Sequence, residues 1–168
     1  MYKALLGVCL VAALFTAATQ AQREGAQARV FVEYMPANTI TVHPGQKVPA
    51  TFTFRVKEGY HINSNKPLLE ELIPTQVQFT VVNELTVSKL QYPAGELTSF
   101  PFDPTQKLSV YSGDVVVHAE VSVPASAKPG SVTVQGELKY QACDNNACYP
   151  PKKLPISFNV RIEEGARK

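Results

Sequence analysis

Four stretches of this chain alternate apolar and polar residues with a period of two, and that pattern constrains the fold more than anything else in the sequence. In residues 48–56, Val48, Ala50, Phe52, Phe54 and Val56 share one side, while Pro49, Thr51, Thr53 and Arg55 share the other. Side chains two apart on a strand project to the same face, so this is a strand with one side buried. The pattern returns in Val115, Val117, Ala119, Val121 and Val123, in Val132, Val134, Gly136, Leu138 and Tyr140, and in Leu154, Ile156, Phe158, Val160 and Ile162. Residues 29–34, 39–42, 76–82 and 86–90 carry weaker forms of it.

Turn-forming clusters separate these runs, among them His43-Pro44-Gly45, Lys57-Glu58-Gly59, Ala127-Lys128-Pro129-Gly130 and Asp144-Asn145-Asn146. No stretch of useful length repeats its apolar residues every 3.6 positions, which leaves helices at most as short connectors. The expectation is an all-β fold, an antiparallel β-sandwich in which each sheet turns one apolar face inward. Residues 91–107 break the rhythm with Pro93, Gly95, Pro101 and Pro104 and read as a long ordered loop, a feature that is often functional in a compact domain.

Residues 1–21 read as a secretory signal peptide. Lys3 gives a positive start, Ala4 to Phe15 is apolar, and Thr19 and Ala21 stand at −3 and −1 of a cleavage site. The apolar run falls short of the roughly 20 residues a membrane span needs. Leu6-Gly7-Val8-Cys9 does not suit lipoprotein processing, because Val8 is too large before the cysteine. Residues 22–168 then form a single domain without a membrane span, expected to be exported from the cytoplasm. Lys3 and Cys9 leave with the signal, so of 16 basic residues 15 remain against 14 acidic, and of three cysteines only Cys143 and Cys148 remain. This near-neutral balance lacks the electrostatic footprint of a nucleic-acid or anionic-membrane binder.

The chemical inventory is short. His43, His61 and His118 are scattered, with no Cys or carboxylate at ligand spacing, so no metal is expected, and His118 falls on the solvated side of its strand. Phosphate loops, nucleophile elbows and dinucleotide fingerprints are absent, and no cofactor is expected. What remains is the pair Cys143 and Cys148, with four residues between them. They are expected to face each other across a hairpin mouth within disulfide reach. Continuing the strand's parity puts Cys143 with Lys139 and Gln141 on the polar side, open to a partner. A disulfide closing so short a loop stabilises by only about 2 kcal/mol on the loop-entropy relation, and small loops favour reducibility. Taken alone, these residues leave an exchangeable pair and an inert staple both open. The spacing is not Cys-x-x-Cys, so this is no thioredoxin active site.

Tyr140-Gln141-Ala142-Cys143 followed by Cys148-Tyr149-Pro150-Pro151, at the end of a β domain, resembles the signature of the N-terminal periplasmic domain of the thiol:disulfide interchange protein DsbD. Gly59-Tyr60-His61-Ile62-Asn63-Ser64 and Val110-Tyr111-Ser112-Gly113 resemble two further segments of that family, and the likeness spans residues 30–162. The resemblance implies an immunoglobulin-like antiparallel β-sandwich that passes reducing equivalents through mixed disulfides, from thioredoxin-like redox proteins to oxidised periplasmic proteins. It further implies that Cys148 forms the mixed disulfide and Cys143 resolves it. Phe100-Pro101-Phe102-Asp103 is the candidate cap over the pair, with Tyr60, Tyr111 and Tyr149 as candidate lining, although ordinary core packing would also account for those aromatics.

Two departures from the family stand out. Its members continue into a multi-helix membrane domain and a thioredoxin-like domain, whereas this chain stops after the first module and is expected to receive electrons from separate proteins. The intercysteine loop is one residue shorter than in the best-known members, and the acidic-aromatic cap motif is not matched literally. The alternative function is a noncatalytic immunoglobulin-like binding module whose disulfide only rigidifies a hairpin.

Overall fold

The long period-two runs form the central strands of two facing sheets in the computed structural model, which describes residues 29–101 and 103–164. The expected signal peptide with Cys9, the polar segment 22–28, Phe102 and the last four residues lie outside the described residues. In the first sheet the order is β1 (Val32–Met35), β3 (Lys47–Val56), β9 (Asp114–Ser122), β6 (Thr86–Gln91). In the second it is β2 (Ile40–Val42), β12 (Lys152–Ile162), β10 (Gly130–Tyr140), β5 (Gln76–Phe79). Every pairing in these two sheets is antiparallel except β2 with β12, which is parallel.

Alternation decides which side of each strand meets the core. Phe52, Phe54 and Val56 of β3 and Val115, Val117 and Val121 of β9 are buried from one sheet, and Val134, Leu138, Phe158 and Val160 from the other. Phe52 bridges the layers, its ring 4.7 Å from Phe79 and 5.0 Å from Phe158. Burying such side chains is worth about 2 kcal/mol each. The fold is all-β and immunoglobulin-like, with no helix among the described residues. None of them forms a helix long and apolar enough to cross a membrane.

A third sheet extends one end of the sandwich, ordered β11 (Ala142–Cys143), β4 (His61–Asn63), β8 (Asp103–Tyr111), β7 (Glu96–Phe100). The chain enters it from β3 through a turn at Gly59, where φ is +80° and a side chain would be strained, and from β10 through Gln141. The expected long loop at 91–107 is therefore corrected: most of it is the β7–β8 hairpin. Its prolines obscured the pairing. Pro93 precedes β7 and Pro101 lies in the tip, while Pro104 falls in a bulge between the pairs Phe100↔Asp103 and Thr98↔Leu108. Edges, tips and bulges are where a strand tolerates a residue with no N–H. Phe100, Leu108 and Val110 form a small apolar cluster with Leu69 and Leu72, which holds the hairpin down. Gly95, just before β7, has no room for a Cβ because Ser64 and Ser109 crowd it.

Candidate functional site

The two cysteines sit where β10 leaves its sheet. Tyr140 is the last residue paired to β12, the Gln141 carbonyl already accepts from the Asn63 N–H of β4 at 3.3 Å, and Ala142 and Cys143 then pair with Ile62 and His61 of β4. This change of sheet overturns the expectation that Cys143 shares the exposed face of Lys139 and Gln141. Strand parity carries only as far as one sheet continues, and Cys143 is completely buried, at 0% exposure. Cys148, at an isolated bridge before β12, is exposed. The two form a disulfide with their Cα atoms 3.9 Å apart, closing a hairpin at an antiparallel bridge. One sulfur thus belongs to a solvent-facing residue and the other to the interior.

Asp144 organises the turn between them. Its Oδ1 accepts hydrogen bonds from the backbone N–H of Asn146 at 2.7 Å and of Ala147 at 2.9 Å, and its Oδ2 accepts from the Tyr149 hydroxyl at 2.6 Å. The Asp144 N–H donates to the Ala147 carbonyl at 2.9 Å, and the Tyr149 N–H to the Ala142 carbonyl at 2.8 Å. The Tyr149 hydroxyl and then the two N–H donors hold the Asp144 carboxyl below the usual carboxylate range. The same bond to Asp144 raises the Tyr149 phenol above its ordinary value.

Tyr149 also joins an aromatic group on the outer side of the hairpin. Its ring lies 4.7 Å from Phe31 and 6.0 Å from Tyr60, and Phe31 meets Tyr60 at 5.0 Å. Arg29 donates to the Tyr149 hydroxyl at 3.1 Å, and the Lys152 ammonium lies 4.7 Å from the Phe31 ring centre. Tyr60 and Tyr149 therefore stand together beside the pair. Tyr111 does not join them. It is 4% exposed, pairs with Ile62, and places its hydroxyl 2.7 Å from Asn65 Oδ1 and 3.0 Å from the Pro93 carbonyl while accepting from the Asn65 N–H at 3.2 Å. It ties the segment after β4 to the approach of the β7–β8 hairpin. Of the candidate cap, Phe102 is outside the described residues, and Phe100 is buried with its ring stacked on His61, centroids 3.8 Å apart and planes 13° apart.

Sequence reasoning passed over His61 as one of three scattered histidines. It is Cys143's partner in the β4–β11 register, 4% exposed, and its Nε2 has no hydrogen-bond partner among the described residues. Burial lowers its pKa from 6.5 to about 4, against a smaller upward pull from the Asp144 carboxylate. The only sequence signal was its place in the segment 59–64, and the cross-strand pairing that gives it meaning is invisible in a linear pattern. Tyr60, His61, Glu96, Phe100 and Asn145 line part of an open groove of about 630 Å³ beside the hairpin. Among the described residues no three His, Cys, Asp or Glu side chains cluster as metal ligands would.

No curated protein sequence is similar enough to count as a relative. Among solved structures, the N-terminal domain of DsbD from Neisseria meningitidis in its reduced form is 17% identical, with 77% of this chain and 90% of that chain covered and a TM-score of 0.45. The N-terminal periplasmic domain of ScsB from Proteus mirabilis is 16% identical over 78% of this chain and 45% of that one, with a TM-score of 0.47. A complex of the DsbD and PilB N-terminal domains from Neisseria meningitidis matches at 18% identity over 74% of this chain and 80% of that one, with a TM-score of 0.42. Residues 28–159 match the family described as thiol:disulfide interchange protein DsbD, N-terminal, and the chain belongs to that family.

Proposed function

We propose that the domain is a thiol:disulfide exchange module that passes two electrons at a time through Cys143 and Cys148. The observation that carries this reading is the asymmetry of the pair, an exposed Cys148 joined to a fully buried Cys143. An inert staple has no need of such an arrangement, whereas exchange requires a sulfur that a partner can reach and a second thiol beside it to resolve the adduct.

In the reduced domain the Cys148 thiolate attacks a sulfur of an oxidised partner. A Cys148–partner disulfide forms, and the partner's other sulfur leaves as a thiolate that takes a proton from water. Cys143 then loses its proton and attacks Cys148 Sγ, regenerating the Cys143–Cys148 disulfide and releasing the partner's second sulfur. The partner has gained two electrons and the domain has lost two. Recharging runs the same steps backwards from a thioredoxin-like reductant, whose thiolate attacks Cys148. Tyr60 and Tyr149 flank the point of contact, and Phe100 covers His61. Family membership supports thioredoxin-like partners and a periplasmic location, reached by removal of a signal peptide near Ala21.

The test is a trapping experiment. Cys143→Ser leaves the attacking thiol with nothing to resolve the adduct, so it should accumulate a mixed disulfide with a thioredoxin-like protein, while Cys148→Ser should not. Absence of adduct from both variants counts against exchange and favours a structural disulfide in a binding module.

A further inference from the structure

A buried thiol resolves a mixed disulfide only after losing its proton, and burial works against that loss, because the thiolate is the charged form. Cys143 is 0% exposed, so bulk solvent does not reach it in the closed hairpin. Asp144, its neighbour in sequence, is already engaged, since its two oxygens receive three hydrogen bonds. Across the β4–β11 ladder stands His61. Residues directly opposite in an antiparallel pair share a face, with Cβ atoms about 5 Å apart. The His61 Nε2 is buried without a hydrogen-bond partner among the described residues, so nothing there competes with Cys143 for it.

We propose that His61 is the proton acceptor for Cys143 in the resolving step. With Cys148 tied to its partner, His61 Nε2 takes the Cys143 proton, the thiolate forms the bond to Cys148 Sγ, and the partner's sulfur leaves with the electron pair of the broken bond. The imidazolium then gives its proton to that departing thiolate or to water. In the recharging direction the imidazolium returns the proton to the Cys143 sulfur as it leaves. The inference rests on the exchange reading above and assigns that chemistry a further residue.

The surroundings fit a base that stays neutral at rest. Phe100 stacks on the ring and excludes water. Of the charged groups on neighbouring elements, Asp144 lies in the turn after β11, Glu96 on β7, Lys57 and Glu58 in the turn before β4, and Arg55 and Asp114, opposite each other on β3 and β9, form an ion pair at 2.7 Å at the groove. Only Asp144 perceptibly raises the imidazole, and burial outweighs it, leaving the ring neutral above a pH of about 4. A thiolate forming opposite it supplies the missing counter-charge, so protonation is favoured at the moment the reaction needs it.

The experiment follows the reduced native domain with 5,5′-dithiobis(2-nitrobenzoate) in stopped flow. Attack by Cys148 releases the first chromophore in a phase that scales with reagent concentration, and ring closure by Cys143 releases the second in a phase that does not. In wild type the second phase should be level between about pH 5 and pH 8, because its base is already deprotonated there. In His61→Gln it should be slowed by about tenfold or more and climb about tenfold per pH unit, as hydroxide replaces the missing base. The first phase should be the same in both proteins. A second phase with equal rate and pH dependence in both overturns the role of His61 while leaving exchange intact. No chromophore release from the native wild type overturns exchange itself. Should His61→Gln fail to fold, the wild-type profile decides: a level second phase supports the proposal, and a rate that follows ionisation of an ordinary thiol overturns it.

Discussion

The Phe100 ring lies flat on the His61 imidazole at 3.8 Å, and through that contact the β7–β8 hairpin covers the strand that pairs with Cys143. Phe100 thus shields the histidine that pairs with Cys143 in the β4–β11 register. Removing the ring in Phe100→Ala opens His61 to water, so its pKa should rise from about 4 toward 6.5. The hairpin should lose about 3 kcal/mol of local stability from the emptied cluster. Proton NMR titration of the imidazole checks the first effect and amide hydrogen exchange across β7 and β8 the second. An unmoved pKa would show that the stack does not control hydration of the ring.

A second consequence is a stability that depends on pH. The folded-state pKa of His61 lies below its unfolded value, so between about pH 4 and pH 6.5 the unfolded chain binds more protons than the folded one, and stability rises with pH across that window. The contribution is fully present above pH 6.5 and is lost as pH falls through about 4. The melting temperature should therefore drop between pH 7 and pH 4.5 in wild type and drop less in His61→Gln. The buttressed carboxylates of Asp114, Glu120 and Asp144, whose pKa values are lowered by their donors, act in the same direction at still lower pH, which keeps the histidine's window distinct. Parallel curves for the two proteins would mean that His61 is hydrated in the native state.

How much of this was legible depends on whether a strand stays within one sheet. Residues Phe52, Val117, Leu138 and Phe158 announced themselves because β3, β9, β10 and β12 each keep one face on a single core. The three-residue β4 is buried at every position, so it shows no alternation at all. The β7–β8 hairpin was hidden by Pro101 and Pro104, which occupy its tip and its bulge. At Gln141 the chain changes sheets, and this is why extending the parity of β10 misplaced Cys143 on the surface. The disulfide itself was readable from its spacing, whereas its asymmetry required knowing what Ala142 and Cys143 pair with.

The turn between the cysteines gives a third prediction. Asp144→Ala leaves the N–H groups of Asn146 and Ala147 to water and frees the Tyr149 hydroxyl, removing the three side-chain bonds that hold the loop shut. Each bond contributes modestly, and together they pre-organise closure. Ring closure should slow, and the Cys143–Cys148 disulfide should be reduced at a lower thiol concentration than in wild type. Equilibration against glutathione measures the shift. An unchanged equilibrium would show that the backbone bonds of Asp144 and Tyr149 suffice to set the turn.

Tyr111 separates support from chemistry. Its hydroxyl joins Asn65 to the Pro93 segment, two strands from Cys143 and away from the Phe31, Tyr60 and Tyr149 group. Deleting the hydroxyl in Tyr111→Phe strands the Asn65 N–H and removes a donor from its neighbours, at a cost of about 1–2 kcal/mol. Because the ring remains, packing against Ile62 should survive. The melting temperature should fall by several degrees, while the rate at which the reduced Cys148 thiol attacks a small disulfide should stay at the wild-type value. Tyr149→Phe should do the opposite, since its hydroxyl is bound to Asp144 inside the turn and its loss acts on ring closure. If Tyr111→Phe changed the thiol kinetics without lowering stability, Tyr111 would have to be counted with the site and not with its scaffold.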